Sequence, residues 1–353
     1  MRLCAPGEGD DTMTSPAGSD RNRVIVRLQQ GIPLVQRPFR TLAREIGLAE
    51  PHVLRLLSET FESGQARRFG GLFDSRSLGF RTTLCMAAVP QDRLDAVGGR
   101  LRDRVSVTHA YARIPLECLD HPDQTDLPAL WFTVNAQAPQ FDKETDHLRR
   151  LVAPWELRSL PAMTSYKIGV ILDPEAGTAT FSQTTQQPAT SPTQPAVRLD
   201  RQIDRLLLSS LQGSLPISPT PFSDLARNCG VRPDALLQKL RRWQAAGALR
   251  RVGLVLRHRH AGFRANAMCV WPVPAEQVDR AGRDVGALNY VTHCYRRPRQ
   301  ACFPFDLYAM IHGRNWRQIR CMFEEISVEQ SLPRGRVLCS VREYRKASPR
   351  YVP

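Results

Sequence analysis

Hydrophobic residues recur every three or four positions in some segments and at alternate positions in others, and the same order of segments occurs in both halves of the chain. In each half, three segments with apolar residues three and four positions apart predict helices, and a basic, alternating run after them predicts a wing. The remainder of each half predicts elements in the order βαββαβ. The first half has predicted helices at 22–31, 39–47, 51–63, 91–103 and 141–151, a wing at 67–73, and strands at 82–89, 105–113, 130–136 and 160–171. The second half has predicted helices at 201–212, 222–229, 233–246, 275–286 and 315–326, a wing at 250–256, and strands at 266–273, 290–297, 307–313 and 336–346.

These elements predict an α+β fold built by tandem duplication. A short helix, a turn, a longer helix and a wing are typical of a winged helix-turn-helix domain, and βαββαβ is the ferredoxin-like order. Matching residues recur at an offset of 183 and then 184, as in Val107-Thr-His109 and Val291-Thr-His293. The predicted domains are a disordered tail at 1–20, winged helix domains at 21–80 and 199–263, ferredoxin-like domains at 81–172 and 264–353, and a Thr-, Gln- and Pro-rich linker at 173–198.

Composition narrows the class of protein. The chain has 353 residues, of which 42% are hydrophobic and 24% charged, as in globular proteins. The longest apolar run, 84–89, is far shorter than a bilayer requires, so no membrane association is predicted. The N-terminus has no pattern of a secretory signal, which makes the cytoplasm the expected location. The nine cysteines include no CxxC pair and fit a reducing compartment.

The charge is distributed unevenly between the halves. Residues 1–198 hold 23 Lys and Arg against 22 Asp and Glu, whereas residues 199–353 hold 26 against 12, so the net charges are +1 and +14. Arginine is suited to fork-like recognition of carboxylate or phosphate. An anionic partner is therefore predicted, either a nucleic acid or a small polycarboxylate.

Several motifs resemble those of the siroheme decarboxylase family, whose architecture is that of the AsnC/Lrp regulators. The second half carries the motifs Arg257-His-Arg259, Ala265-Asn-Ala-Met268, Val291-Thr-His-Cys-Tyr295, Leu307-Tyr-Ala-Met-Ile-His-Gly313 and Glu343-Tyr-Arg-Lys346, and the first half carries Gly71-Leu-Phe-Asp-Ser-Arg76, Val107-Thr-His109 and Trp131-Phe-Thr133. The resemblance implies a fused two-half subunit, of the NirD/NirL type, that acts in heme d1 biosynthesis.

The resemblance also implies a reaction and its partners. Such a carboxy-lyase removes two acetate carboxyls of siroheme and gives 12,18-didecarboxysiroheme. The iron comes with the tetrapyrrole substrate, so no cofactor and no protein-bound metal are expected. Sibling decarboxylase subunits or a homo-oligomer are the expected protein partners.

A repeated His-x-Tyr-x-Arg pattern supplies the main candidate residues. Alternate side chains of a strand share a face, so Val, His, Tyr and Arg at 107–113 and again at 291–297 are expected to line a ligand face together. Removal of carbon dioxide leaves an electron-rich carbon that needs a proton, which imidazole can supply near neutral pH. The candidate proton donors are His109, His258 and His293. The candidate substrate-binding residues are Tyr111, Arg113, Arg251, Arg257, Arg259, Asn266, Met268, Tyr295, Arg297, Tyr308 and His312.

Alternatives remain for these residues. His and Tyr of the repeated pattern could fill a domain interface, the 257–260 tetrad could cross solvent as a charged linker, and His312 could be a core histidine. An acidic insertion at 114–129 would repel a polycarboxylate, which favours catalysis by the second half. The other function considered is a DNA-binding regulator with an effector domain. However, the predicted recognition helices begin with few base-reading side chains, so specific DNA binding is not expected.

Overall fold

A computed structural model describes residues 16–125, 127, 129–169, 171–175, 178–180, 187–188, 197, 202–257, 260 and 262–351. Most of the predicted tail and linker, together with His258 and Arg259, lie outside the described residues. The helices are α1 (Pro16–Gln30), α2 (Pro38–Glu45), α3 (Glu50–Glu62), α4 (Leu94–Arg102), α5 (Phe141–Val152), α6 (Gln202–Gln212), α7 (Pro221–Asn228), α8 (Pro233–Ala245), α9 (Val278–Ala287) and α10 (Trp316–Glu329). The strands are β1 (Ala66–Phe73), β2 (Phe80–Ala87), β3 (Val107–Pro115), β4 (Leu130–Gln137), β5 (Arg158–Leu160), β6 (Thr164–Ile168), β7 (Ile171–Asp173), β8 (Thr178–Thr180), β9 (Gln187–Pro188), β10 (Leu249–Leu256), β11 (Ala265–Trp271), β12 (Val291–Arg296), β13 (Leu307–Gly313) and β14 (Arg336–Lys346). Among the described helices, none has the length and apolar character that crossing a membrane requires.

Each half begins with a three-helix unit whose boundaries follow local sequence signals. Pro38 and Pro221 open α2 and α7, where the missing amide hydrogen costs no intrahelical bond. Gly64 and Gly247 follow α3 and α8 with φ of 71° and 72°, a conformation that glycine adopts without strain. The two units share one hydrophobic core. The helix-turn-helix units therefore pack as one body.

The two wings pair with each other. β1 and β10 form an antiparallel ribbon in which Gly70 lies opposite Gly253. A side chain at Gly253 would lie 2.7 Å from the carbonyl oxygen of Leu28, at the end of α1, and one at Gly70 would meet the carbonyl of Leu211 in α6 at 2.6 Å. Glycine at both positions lets the ribbon lie against the helix ends.

The remaining strands form a ten-stranded sheet in the order β5-β2-β4-β3-β14-β11-β13-β12-β6-β9. The last strand of each half begins in its own half and then enters the other. β14 pairs first with β11 and then with β3, and β5 pairs with β2 before the chain continues as β6 beside β12. The predicted single strand at 160–171 is thus divided into shorter strands, because its start pairs with β2, its middle with β12 of the other half and its end with β8.

A tyrosine on each exchanged strand packs against a glycine of the opposite half. A Cβ at Gly98 would lie 2.6 Å from the ring of Tyr344, and Gly282 is covered in the same way by Tyr166. The Tyr344 hydroxyl donates to Asp95 at 3.0 Å, and the Tyr166 hydroxyl to Asp279 at 2.5 Å. The halves are therefore interlocked in a pseudo-two-fold arrangement.

A bulge in β3 and another in β12 change the predicted strand faces. The cross-strand register shifts between Val107 and His109 and between Val291 and His293. Val107 and Val291 pack in the cores beneath the helices, whereas the histidines face the other side of the sheet. The prediction that Val, His, Tyr and Arg share one face is wrong for the valines, because one extra residue reverses the alternation.

Candidate active site

One cavity of about 750 Å³ lies between the strands of the two halves and is bordered by the wing ribbon. The strand β13 separates the cavity from the core, because its alternate side chains point to opposite faces of the sheet. Tyr308 and Met310 line the cavity, whereas the core holds Leu307, Ala309 and Ile311. Among its described lining residues, nine are cationic and one is acidic. The nine are Arg67, Arg68, Arg76, Arg81, Arg113, Arg250, Arg251, Arg297 and Lys346, and the acid is Asp74. Such a cavity favours a polyanionic ligand.

The repeated His-x-Tyr-x-Arg pattern forms a similar ladder on each side of the cavity. The rings of His109 and Tyr111 stack with centroids 6.3 Å apart, and those of His293 and Tyr295 with centroids 6.1 Å apart. The Arg297 guanidinium lies 4.8 Å from the Tyr295 ring centroid, and its counterpart Arg113 lies 5.2 Å from that of Tyr111. An imidazole, an aromatic face and a cation are therefore presented in order from each half.

The threonine at each bulge orients the adjacent histidine. The Thr292 hydroxyl donates to the Met310 carbonyl oxygen at 3.1 Å, and its oxygen lies 3.2 Å from His293 Nδ1. Thr108 does the same with the Thr133 carbonyl and His109 Nδ1, at 3.4 and 3.1 Å. Because the single hydroxyl proton is directed to the carbonyl, the threonine oxygen accepts from Nδ1–H. Nε2 of the neutral imidazole is then left as the acceptor.

Burial keeps both imidazoles neutral in the free protein. It lowers the pKa of His109 to about 3, with Lys346 and Arg67 adding to the effect, and that of His293 to about 4, with Arg250 adding to it. At neutral pH each ring in the free protein therefore carries only its Nδ1 proton and no proton on Nε2.

The wing arginines are held differently in the two halves. Arg250 donates to Asp74 at 2.5 Å, and Asp74 also accepts from Arg76 at 3.4 Å. Burial alone would raise the pKa of Asp74, but these two guanidinium groups hold it below its usual value. Arg67, the counterpart of Arg250, forms no ion pair with a described carboxylate and reaches Ser348 Oγ at 3.5 Å.

Most of the predicted site residues lie on this cavity. They are His109, Tyr111, Arg113, Arg251, Asn266, Met268, His293, Tyr295, Arg297, Tyr308 and His312. Burial lowers the pKa of Arg251 to about 10, and the Tyr308 hydroxyl is buried with no hydrogen-bond partner among the described residues. The structure therefore brings these side chains together around one cavity, and their roles in substrate binding and catalysis stay predictions.

Arg257 is the exception. Its side chain is exposed, does not line the cavity and donates to the Gly64 carbonyl at 3.1 Å. The side chain does not line the cavity in this structure because it is directed to the end of α3, and its predicted role in substrate binding stays a prediction. The neighbouring candidates His258 and Arg259 are outside the described residues.

The acidic insertion does not face the cavity in its described part. Glu117 pairs with Arg336, and Leu116 packs in the core of the second half. The expected repulsion of a polycarboxylate by this segment is therefore not supported. Five of the nine cavity cations belong to the first half, so the excess charge of the second half does not place the site there.

Some cavity residues were not predicted as ligands. Arg67 and Arg250 had been assigned only to the wings, and Asp74 and Asn135 were assigned no role. The sequence did contain a sign of the arginines, since Arg67-Arg68 recurs as Arg250-Arg251 at an offset of 183, next to the offset of 184 between the histidines. The wing–wing pairing that turns these arginines toward the cavity has no local sequence signal.

Comparisons with known proteins agree with this architecture. The helix-turn-helix domain of NirDL-like siroheme decarboxylases matches residues 21–67 and 204–250, and the AsnC-like ligand binding domain matches 77–167 and 260–345. A siroheme decarboxylase of Hydrogenobacter thermophilus is 31% identical over 337 residues, which are 95% of each chain. This chain belongs to the siroheme decarboxylase family.

Solved structures of the family have the same overall arrangement. The crystal structure of the siroheme decarboxylase NirDL covers 93% of both chains with a TM-score of 0.66 and 27% identity. A second structure of NirDL, in complex with an iron-uroporphyrin III analogue, has a TM-score of 0.65 over 92% of both chains. The NirL subunit of Stutzerimonas stutzeri is 39% identical over 146 residues, which are 86% of that subunit but 40% of this chain. Family members thus include chains of about half this length.

Proposed function

We propose that this chain is a siroheme decarboxylase that converts two acetate side chains of siroheme to methyl groups. The product would be 12,18-didecarboxysiroheme, an intermediate on the way to heme d1. The observation that carries the proposal is one cavity whose described lining has nine cations, one acid and a His-Tyr-Arg ladder from each half. Family membership supports the same substrate class.

The cavity suits a flat ring with acidic arms. Its volume of about 750 Å³ is within the usual range for small-molecule sites. Apolar side chains from both halves, among them Trp131, Met268 and Tyr308, form a cluster between the strands that can cover the ring faces. Arg113 and Arg297 present planar donors to carboxylates at the ring edge. The iron is part of the substrate.

The reaction requires one proton for each arm. The bond between the methylene and carboxyl carbons breaks, carbon dioxide leaves, and the electron pair remaining on the methylene carbon takes a proton to give a methyl group. His109 and His293 are the proposed donors, through Nε2. Because substrate carboxylates raise the pKa of a nearby imidazole, the proton needed for the reaction would be taken up as the substrate binds.

The test is anaerobic incubation of the purified chain with siroheme, with loss of carbon dioxide read by mass spectrometry. We expect the wild type to lose two carboxyl groups, and His109→Gln with His293→Gln to reduce the rate by a factor of about 10² or more, the usual contribution of a general acid. His121→Gln is the matched control, since that side chain is exposed and outside the cavity. Absence of any carbon dioxide loss from the wild type, with sibling subunits supplied, would contradict the proposal.

The regulator alternative is disfavoured by the wings. In a winged helix the wing is a DNA-contacting element, but here β1 and β10 pair with each other and direct Arg67 and Arg250 to the cavity. Sequence-selective, salt-dependent binding to duplex DNA would support that alternative. A cytoplasmic location, a requirement for sibling subunits and the absence of a cofactor stay predictions.

A further inference from the structure

Three cavity side chains lie side by side across adjacent strands. Ser165 of β6 pairs with Tyr295 of β12, and Tyr295 pairs with Tyr308 of β13. All three line the cavity. Arg297 lies two residues beyond Tyr295, and its guanidinium carbon is 4.8 Å from the Tyr295 ring centroid and 5.6 Å from that of Tyr308. A cation therefore stands over a row of hydroxyl-bearing side chains.

Several donors of this row are buried without a partner. Ser165 and Tyr308 are 1% and 2% exposed, and neither hydroxyl group has a hydrogen-bond partner among the described residues. The same holds for Arg297 Nε. A buried polar atom without a hydrogen bond costs free energy, so native proteins keep few of them outside functional sites. All three atoms can donate, and a carboxylate, which accepts several hydrogen bonds, suits such a set.

The matching row of the other half has different chemistry. There Tyr111 is flanked by Glu343 of β14 and by Trp131 of β4. Glu343 is exposed and does not line the cavity, and Trp131 packs in the apolar cluster between the strands. Arg113 therefore stands beside an indole ring, whereas Arg297 has two buried hydroxyl groups beside it. The set of donors is a property of one end of the cavity and is not repeated by the duplication.

This row is well separated from the two histidines. Arg297 follows His293 by four residues, which is about 13 Å along a strand at about 3.3 Å per residue. His293 contributes to the lowered pKa of His109, so the two imidazoles lie at the same end of the cavity. Tyr308 instead packs against Phe303 in the apolar cluster, with ring centroids 6.1 Å apart. An acid arm bound at Arg297 and Tyr308 is thus out of reach of His293.

We propose that Ser165, Arg297 and Tyr308 form a carboxylate-binding subsite, which holds one acid arm of the tetrapyrrole that is not decarboxylated. This proposal rests on the proposed function for the identity of the ring. Since such a ring has acid arms around its whole edge, the subsite anchors one arm while another arm meets a histidine. Ser165 comes from the first half, and Arg297 and Tyr308 come from the second, so the exchange of β6 completes the subsite.

The first test compares ligand affinity with stability. Tyr308→Phe and Ser165→Ala each remove one hydroxyl group. Affinity for iron uroporphyrin III, measured by absorbance titration, should fall about tenfold or more in Tyr308→Phe, the contribution of one hydrogen bond to a charged group. It should fall further in the double variant. Urea unfolding of the free chain should show equal or higher stability, because each change removes a buried hydroxyl that has no partner among the described residues.

A control variant and a second porphyrin complete the titration. Tyr290→Phe removes a hydroxyl group from a tyrosine that does not line the cavity, and it should keep the wild-type affinity. Iron coproporphyrin III carries four propionates and no acetate. A loss of affinity for both porphyrins would identify the anchored arm as a propionate, and a loss for iron uroporphyrin III alone would identify it as an acetate. Wild-type affinity of the double variant for both porphyrins would overturn the subsite.

The products test whether the anchored arm is retained. In anaerobic turnover of siroheme, the double variant should have a KM raised about tenfold or more, and its final product should still have lost two carboxyl groups. A final product that has lost only one would overturn the assignment to a retained arm. Absence of carbon dioxide loss from the wild type would instead contradict the proposed function, while the porphyrin titrations would still test the subsite.

Discussion

Thr108 and Thr292 each hold one cavity histidine through a single hydroxyl group. Thr292→Val keeps the shape of the side chain but removes the acceptor for His293 Nδ1–H, so the ring loses its fixed tautomer. We expect kcat for decarboxylation to fall about tenfold, the value of one buried hydrogen bond, with unchanged affinity for iron uroporphyrin and a shifted pH profile. Steady-state rates across pH measure this.

Two further variants separate positioning from folding. Thr292→Ser keeps a hydroxyl and should restore most of the rate. Thr60→Val removes a comparable buried hydroxyl bond, to the Leu56 carbonyl oxygen in α3, and neither of these residues lines the cavity, so it should leave the pH profile unchanged. An unchanged pH profile in Thr292→Val would show that the threonine serves packing alone.

At the residue scale, duplication was the informative signal. Two copies of His-x-Tyr-x-Arg identified His109 and His293 as a pair, and both line one cavity. The bulges that set the ring directions were not predictable, because a bulge depends on the register with the neighbouring strand rather than on local alternation. The same limit applied to Arg257, whose side-chain direction is decided where the strand ends.

The wing ribbon depends on glycine where it crosses the helix ends. Gly253→Ala would place a methyl group 2.7 Å from the Leu28 carbonyl oxygen, so the ribbon must shift, at a cost of about 1–3 kcal/mol in the free energy of unfolding. Since Arg250 and Arg251 lie on the same strand, affinity for iron uroporphyrin should fall as well. Urea unfolding and porphyrin titration measure the two effects.

The same substitution elsewhere provides the control. Gly99 in α4 has open space where a side chain would stand, and Gly99→Ala should raise stability by about 0.5–1 kcal/mol through helix propensity. Equal effects of the two substitutions would refute the packing argument for the ribbon.

At the element scale, prediction succeeded where the signal is local. The predicted strand at 336–346 coincides with β14, and the predicted helix at 51–63 differs from α3 by one residue at each end. The choice of strand partner is not local. Neither the exchange of β6 and β14 between halves nor the pairing of β1 with β10 follows from periodicity.

At the scale of the whole molecule, net charge predicted the ligand class but not its location. The excess of +14 in the second half pointed to an anion, and the cavity is strongly cationic. However, that excess did not mark the site, because interlocked strands bring arginines of both halves to one cavity. The location of the cavity depends on how the strands of the two halves pair, and net charge carries no information about strand pairing.

The buried imidazoles make the stability of the whole chain depend on pH. His109 and His293 have folded-state pKa values of about 3 and 4, below the unfolded value near 6.5, so the unfolded chain binds more protons between these limits. The free energy of unfolding should therefore fall as pH decreases from 6.5 toward 4, by up to about 1.4 kcal/mol per pH unit for each histidine. Asp74, whose pKa is also depressed, acts in the same direction but only below its unfolded pKa near 4.

A tetrapyrrole should reverse this dependence. Its carboxylates raise the pKa of both imidazoles, so binding takes up protons and should become tighter from pH 8 to about pH 6. The measurements are urea unfolding of the free chain and titration with iron uroporphyrin over that range. His109→Gln with His293→Gln should flatten both curves, and His121→Gln should leave both unchanged. An equally steep loss of stability in the double variant would locate the titrating groups outside the cavity and would remove the argument that the catalytic proton arrives with the substrate.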